Sequence, residues 1–195
     1  MQCLASAHAR IAPTTADTRQ APARRRKGFT TLELMVVVAI LAILTALAAP
    51  SFTPLMERWR VRQVAEDLQA TIYFARSEAL KRGGNVTIAK AANGNGCANA
   101  TGNTQWGCGW QVASGNTVLQ QTAPPTRVQI TLADSTGSIA VDRWGMLSHG
   151  GGTAAAAMDL LLVPEGKIAS DRSAVRLCTG TGGRIVQMKG SESCS

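Results

Sequence analysis

An uncharged, almost wholly apolar run, Leu34 to Ala49, opens the patterned part of the chain and stops at Pro50. Taken from Phe29 to Ala49 it is 21 residues long. As helix that length spans about 30 Å, the thickness of a bilayer's hydrocarbon core, so the run reads as a membrane-spanning helix. Pro50 and Pro54 would then kink or restart it. Beyond them apolar positions return on the helical period: Val61, Val64, Ala65, Leu68, Ile72, Ala75 and Ala79 fall at spacings of three and four and form one stripe. Arg58, Arg62, Glu66, Asp67, Arg76, Glu78 and Lys81 lie opposite, and Gly83 with Gly84 stops the helix near Arg82. The first half of this helix needs lipid or other helices, and the second half needs a domain over its stripe.

From Asn85 the period shortens to that of strands. Short runs bounded by turn residues predict strands at Val86 to Lys90, Gly109 to Ala113, Thr117 to Gln121, Arg127 to Leu132, Ser138 to Asp142, Met158 to Val163, Ala174 to Cys178 and Arg184 to Lys189. Two polar segments, Ala91 to Gln105 and Ser148 to Ala157, read as long mobile loops. The class is therefore α+β: a long hydrophobic N-terminal helix packed on an antiparallel β-sheet domain. Three parts are expected along the chain, residues 1–28 as a leader, 29–54 as the membrane half of the helix, and 55–195 as the amphipathic half plus sheet domain.

Charge sets the orientation. The chain has 195 residues and a formal charge of +8, which alone suggests an anionic partner. Residues 1–28 hold six of the cations (Arg10, Arg19, Arg24, Arg25, Arg26, Lys27) against Asp17 alone, so the basicity is concentrated ahead of the apolar run. Four adjacent cations keep that end cytoplasmic and send everything after Pro50 across the membrane. A secretory signal peptide competes with this reading, but its apolar core is shorter and carries no carboxylate. Here Glu33 sits inside the run. A carboxylate within an apolar span costs about 2.5 to 3.5 kcal/mol at the bilayer centre and less near an end, so it marks a partner or a function unless it snorkels to the headgroups.

Beyond the leader the cysteines number four: Cys97, Cys108, Cys178 and Cys194. No C-x-x-C occurs, and His149 does not stand at zinc-finger spacing, so disulfides fit better than a metal. Of three pairings, Cys97 with Cys108 and Cys178 with Cys194 close the shortest loops. Free buried thiols are the alternative.

The basic run, Gly28, Phe29 and Glu33 together resemble the class III signal of type IV prepilins. The resemblance implies that a membrane peptidase cuts between Gly28 and Phe29, methylates the new amine of Phe29, and leaves Glu33 as the fifth mature residue. It implies a Glu33 carboxylate paired with that amine on a neighbouring helix. The rest of the chain resembles the minor pilins and pseudopilins of the FimT/GspH family, through Phe74, Ala75, Arg76, Ser77, Glu78, Ala79, the cluster Trp106, Gly107, Cys108, Gly109, Trp110, and Val141, Asp142, Arg143, Trp144, Gly145. Cys178 and Cys194 also fit. The implied function is a low-abundance subunit that primes or joins a type IV pilus or a type II secretion pseudopilus. Its implied partners are the prepilin peptidase, other major or minor pilins and the bacterial inner membrane, with the C-terminal domain periplasmic. No catalytic role, cofactor or metal is implied.

Some FimT-type members bind DNA through a C-terminal Gly-Arg-x-Arg motif. Here Gly190, Ser191, Glu192, Ser193 lack both arginines, leaving Arg184 after Gly183, and Lys189, as the candidate contacts. Residues 91–195 carry seven Lys/Arg against six acids, too balanced for the phosphate neutralisation that such binding needs. A hydrolase would rest on His149 alone in a Gly-rich loop. Thr179, Gly180, Thr181, Gly182, Gly183 lack the Lys-Ser/Thr ending of a phosphate loop and read as a tight turn. Trp106, Trp110 and Trp144 are expected as core anchors rather than a binding platform. A monomeric membrane-anchored periplasmic binding protein is the remaining alternative.

Overall fold

The computed structural model describes residues 28–48, 52–94 and 97–194. The expectations for the leader ahead of Gly28, and for Pro50, fall outside these residues. The chain divides into two compact units, residues 1–44 and 45–195.

In the first unit the described residues are the start and most of helix α1 (Thr31–Ala48). Thr30 sets where it begins: its Oγ1 accepts the Glu33 N–H at 3.1 Å, an N-cap bond at Thr-x-x-Glu spacing. The helix therefore starts two residues later than the apolar run suggests, and its 18 residues make about 27 Å of helix. Among the described residues, no single helix is long and apolar enough to cross a membrane. Its large side chains, from Leu32 through Leu47, are exposed on every face.

The second unit is built on helix α2 (Phe52–Arg82), which restarts just after Pro50 and holds Pro54 in its first turn, where a missing N–H costs least. The buried positions are the predicted stripe with Thr71 added. Thr71 is tolerated there because its hydroxyl is fully used: it donates to the Asp67 carbonyl at 2.8 Å and accepts the Trp110 Nε1–H at 3.0 Å. Past Arg82 the Gly84 N–H returns to the Ala79 carbonyl at 2.7 Å, closing the helix with a Schellman bond.

Among the described residues nine strands follow: β1 (Val86–Lys90), β2 (Trp110–Ser114), β3 (Thr117–Thr122), β4 (Val128–Leu132), β5 (Ser138–Val141), β6 (Leu147–Ser148), β7 (Met158–Pro164), β8 (Val175–Thr179) and β9 (Ile185–Lys189). They make two antiparallel sheets, a five-stranded one in the order β3-β2-β1-β5-β6 and a four-stranded one in the order β4-β7-β8-β9. Between β3 and β4 stand Pro124 and Pro125, which cannot donate to a ladder, so the chain leaves the first sheet there and starts the second. Residues 104–106 join the sheets: the Leu132 N–H reaches the Thr104 carbonyl at 2.9 Å, and the Trp106 N–H reaches that of Ile130 at 2.9 Å. Both sheets and the α2 stripe share one core, with Trp106, Trp110, Ile72, Leu160 and Leu162 at its centre. Burial at this scale stabilises by about 1.5 to 3 kcal/mol per large side chain.

The Trp-Gly-Cys-Gly-Trp cluster owes its glycines to this packing. Gly109 has φ +87, and a Cβ there would stand 2.3 Å from the Thr122 carbonyl oxygen. The two tryptophans can be buried only because the backbone between them passes that close. Cys97 is joined to Cys108, and Cys178 to Cys194.

Three sequence expectations change. The described residues of Ala91 to Gln105 are tied down at several points: Lys90 Nζ donates to the carbonyls of Ala100 at 2.8 Å and Gly102 at 2.6 Å, and Asn93 Oδ1 accepts the Ala100 N–H at 2.8 Å. Burial among those carbonyls lowers the Lys90 pKa. Ser148 belongs to β6, a strand too short to show alternation. Trp144 is no core anchor, being 75% exposed. It sits at the tip of the β5–β6 turn, where Asp142 Oδ1 accepts its N–H and that of Met146, both at 2.8 Å, so that these bonds hold the backbone of the turn that carries the exposed indole.

Thr71→Val keeps the shape of the site but leaves the buried Trp110 N–H without an acceptor. It should cost about 1 to 3 kcal/mol in urea denaturation followed by tryptophan fluorescence, with Thr71→Ser close to the parent. The Cys178–Cys194 bridge spans 16 residues. Replacing both cysteines with serine should lower stability by about 2 to 4 kcal/mol in the same assay, and reductant, which also opens Cys97–Cys108, should cost the parent at least as much.

Candidate functional site

The residues expected to serve processing and assembly, Gly28, Phe29 and Glu33, lie just before α1 and in its first turn. Gly28 and Phe29 are exposed and outside the helix, Phe29 at 82%. No atom lies within 4 Å of where a Cβ would stand on Gly28, and its φ is not in the left-handed region. The fold of this chain therefore makes no demand for glycine at that position. Glu33 is exposed in the first turn of α1, where the positive end of the helix dipole favours a carboxylate. Its backbone serves the cap on Thr30, which leaves the carboxylate's chemistry separate from the turn that positions it.

The candidate nucleic-acid contacts are not brought together. Lys189 pairs with Val175 at one end of the β8–β9 ladder, and Arg184 lies past the other end, where Ile185 pairs with Thr179. Five residues of strand put them about 17 Å apart. The Gly-rich string before Arg184 is a tight turn: the Gly183 N–H bonds the Gly180 carbonyl at 2.9 Å, and the Gly180 N–H bonds that of Arg184 at 3.2 Å.

Arg76, placed by periodicity on the polar face, is half-buried. Its side chain runs beside the β5–β6 and β8–β9 turns: a Cβ on Gly145 would be 3.6 Å from its Cβ, and one on Gly183 would be 3.1 Å from its Nη2. Nε and Nη2 are buried there without a hydrogen-bond partner, and desolvation lowers the pKa. A helical wheel cannot show this, because it is the far turns of both sheets that close over the helix at that point.

The C-terminal segment is held by more than its disulfide. Arg176 on β8 pairs through Nη1 with Asp159 on β7 and donates to the Gly190 carbonyl through Nε at 3.2 Å and Nη2 at 3.0 Å. This clasp fixes the end of β9 and with it Lys189. His149 Nε2 bonds the Ala157 carbonyl at 2.8 Å, a contact that spans its loop. Among the described residues, no group of three or more His, Cys, Asp or Glu side chains is placed to hold a metal ion.

Sequence reasoning missed that Lys189 stands with Arg58, Arg62 and Arg172 around one cleft. The i, i+4 spacing of Arg58 and Arg62 was a visible signal. The arrival of the other two depends on the tertiary path of the 165–174 segment and β9.

The family described as type II transport protein GspH matches residues 64–192, and the prokaryotic N-terminal methylation motif matches residues 23–49. Fimbrial protein Q of Moraxella bovis is 38% identical over 68 residues, 35% of this chain and 43% of that protein. Fimbrial protein EcpB of Eikenella corrodens is 36% identical over 70 residues, 36% of this chain and 43% of that protein. The chain thus spans less than half the length of these curated relatives. Among solved structures it is similar to the type IV minor pilin FimU of Pseudomonas aeruginosa in two crystal forms, both at 19% identity. The TM-scores are 0.53, over 71% of this chain and 95% of that one, and 0.50, over 67% and 94%. The first family match lies in the second unit and the motif takes in α1, and on the first match, which covers most of the chain, the chain belongs to the family of type II transport protein GspH.

Proposed function

We propose that the chain is a minor pilin-type subunit, cut between Gly28 and Phe29 by a prepilin peptidase and methylated on Phe29, that joins or primes a type IV pilus or a type II secretion pseudopilus. Before assembly α1 is held in the bacterial inner membrane with the sheet domain on the periplasmic side. The observation that carries this reading is α1 itself, apolar on every exposed face and headed by one carboxylate.

Such a helix is stable only in lipid or among other helices. Its small residues, Ala39, Ala42 and Ala46, suit close helix–helix approach in a setting where the hydrophobic effect no longer sorts partners. In that medium Glu33 needs a cation. Cleavage supplies one, since a methylated amine with an ordinary value of about 8 stays protonated near neutrality. An amine on one subunit and a carboxylate on the next offset each other's burial and fix the axial step between the two. Gly28 supports the same reading: nothing within this chain's fold requires it, whereas an extended backbone in a protease groove does.

Gly28→Ala should leave folding unchanged and the precursor uncut, seen as a single slower band on immunoblots of cells. Glu33→Ala should still be cut but should fall at least tenfold in the sheared filament or pseudopilus fraction. Glu33→Ala incorporated at the parent level would point to a lone membrane anchor instead.

A further inference from the structure

Beside α2, where β8 begins and β9 ends, lies an open cleft of about 800 Å3. Four cationic side chains from three parts of the chain line it: Arg58 and Arg62 from α2, Arg172 from the segment before β8, and Lys189 from the end of β9. All four are exposed, and none belongs to an ion pair among the described residues. Two carboxylates share the rim, but each is engaged by backbone. Asp171 Oδ1 accepts the Ser173 N–H at 2.8 Å, and Glu192 Oε2 accepts the Lys189 N–H at 3.2 Å.

Holding these cations together has a cost. Like charges at i, i+4 on a helix are unfavourable, and Arg172 and Lys189 add to the repulsion across the cleft. An anion seated among them would remove it. We propose that the cleft receives a carboxylate-bearing segment of a neighbouring pilin-type subunit, an inference that rests on the assembly role proposed above.

The chemistry favours carboxylates on a peptide. Guanidinium forks from Arg58, Arg62 and Arg172 match a carboxylate through paired hydrogen bonds. Val175 and Met188 also line the cleft, giving apolar surface beside the charges for the residues that flank an acidic side chain. The rim carboxylates of Asp171 and Glu192 oppose a continuous polyanion while leaving room for separate acidic groups. Residues 55–195, which hold both walls of the cleft, carry fourteen Lys/Arg against ten acids, too small an excess for the many phosphate contacts of a nucleic-acid track.

The test places a photo-crosslinking residue at Gln187, exposed and lining the cleft, in the full chain expressed in its own host. The expected adduct is a peptide of another protein bearing an N-terminal methylation motif, with Asp or Glu within a few residues of the crosslink. Arg172→Glu with Lys189→Glu should reduce its yield at least tenfold. Arg58→Gln with Arg62→Gln, on the opposite wall, should do the same, so that misfolding of one pair cannot imitate the effect. Lysine in place of the partner's acid should restore crosslinking to the Arg172→Glu, Lys189→Glu chain.

An adduct with phospholipid or nucleic acid, a yield indifferent to both pairs of substitutions, or no adduct from an assembled chain would overturn the proposal. Cleavage at Gly28 and Glu33-dependent incorporation are scored in the same cells. If those hold and the crosslink fails, the cleft assignment alone falls. If the parent chain is neither cut nor incorporated, the assembly reading falls and takes the cleft assignment with it.

Discussion

Apolar surface on every side of a helix is the condition from which the rest of this protein follows. In water α1 would expose apolar side chains from Leu32 through Leu47. Lipid can receive it, or other helices can. A carboxylate at its head then has to be matched by a cation, and the chain's own start, once cut, provides one per subunit. A filament built this way needs no catalytic apparatus in the subunit, only a clean cut, a helix and a domain that stays folded at the surface.

The domain meets that last need with local devices. One core unites both sheets with α2, and Thr71 with Trp110 puts a satisfied polar contact inside it. Two disulfides close short loops, and the Arg176 clasp holds the chain's final turn to β7 and β8. The 90–105 segment, which has little apolar surface to bury, is held by Lys90 against carbonyls instead. Each of these devices joins residues of the second unit to one another.

Much of this was legible in the residues. Period-four spacing gave α2 and its stripe, Gly83 and Gly84 gave its end, and alternation between turn residues gave eight of the nine strands to within a residue or two. Phe29 and Glu33 after a basic run, within the methylation motif at residues 23–49, are the signal on which the proposed assembly role rests. What periodicity could not supply was anything that depends on distant segments meeting. The split into two sheets hinges on Pro124 and Pro125. The partial burial of Arg76 comes from turns more than 65 residues away in sequence. Trp144 looked like a core residue by type, but a side chain in a tight Asp-capped turn has its direction set by backbone bonds rather than by hydrophobicity. The cationic cleft was hidden for the same reason, its two walls being about 110 residues or more apart along the chain.

The most direct measurement is the intact mass and N-terminal sequence of the protein purified from its host. The account predicts a chain that begins at Phe29 and is heavier than the unmodified fragment by one methyl group on its terminal amine. A chain that begins at Met1, or at Phe29 without the methyl group, would contradict it.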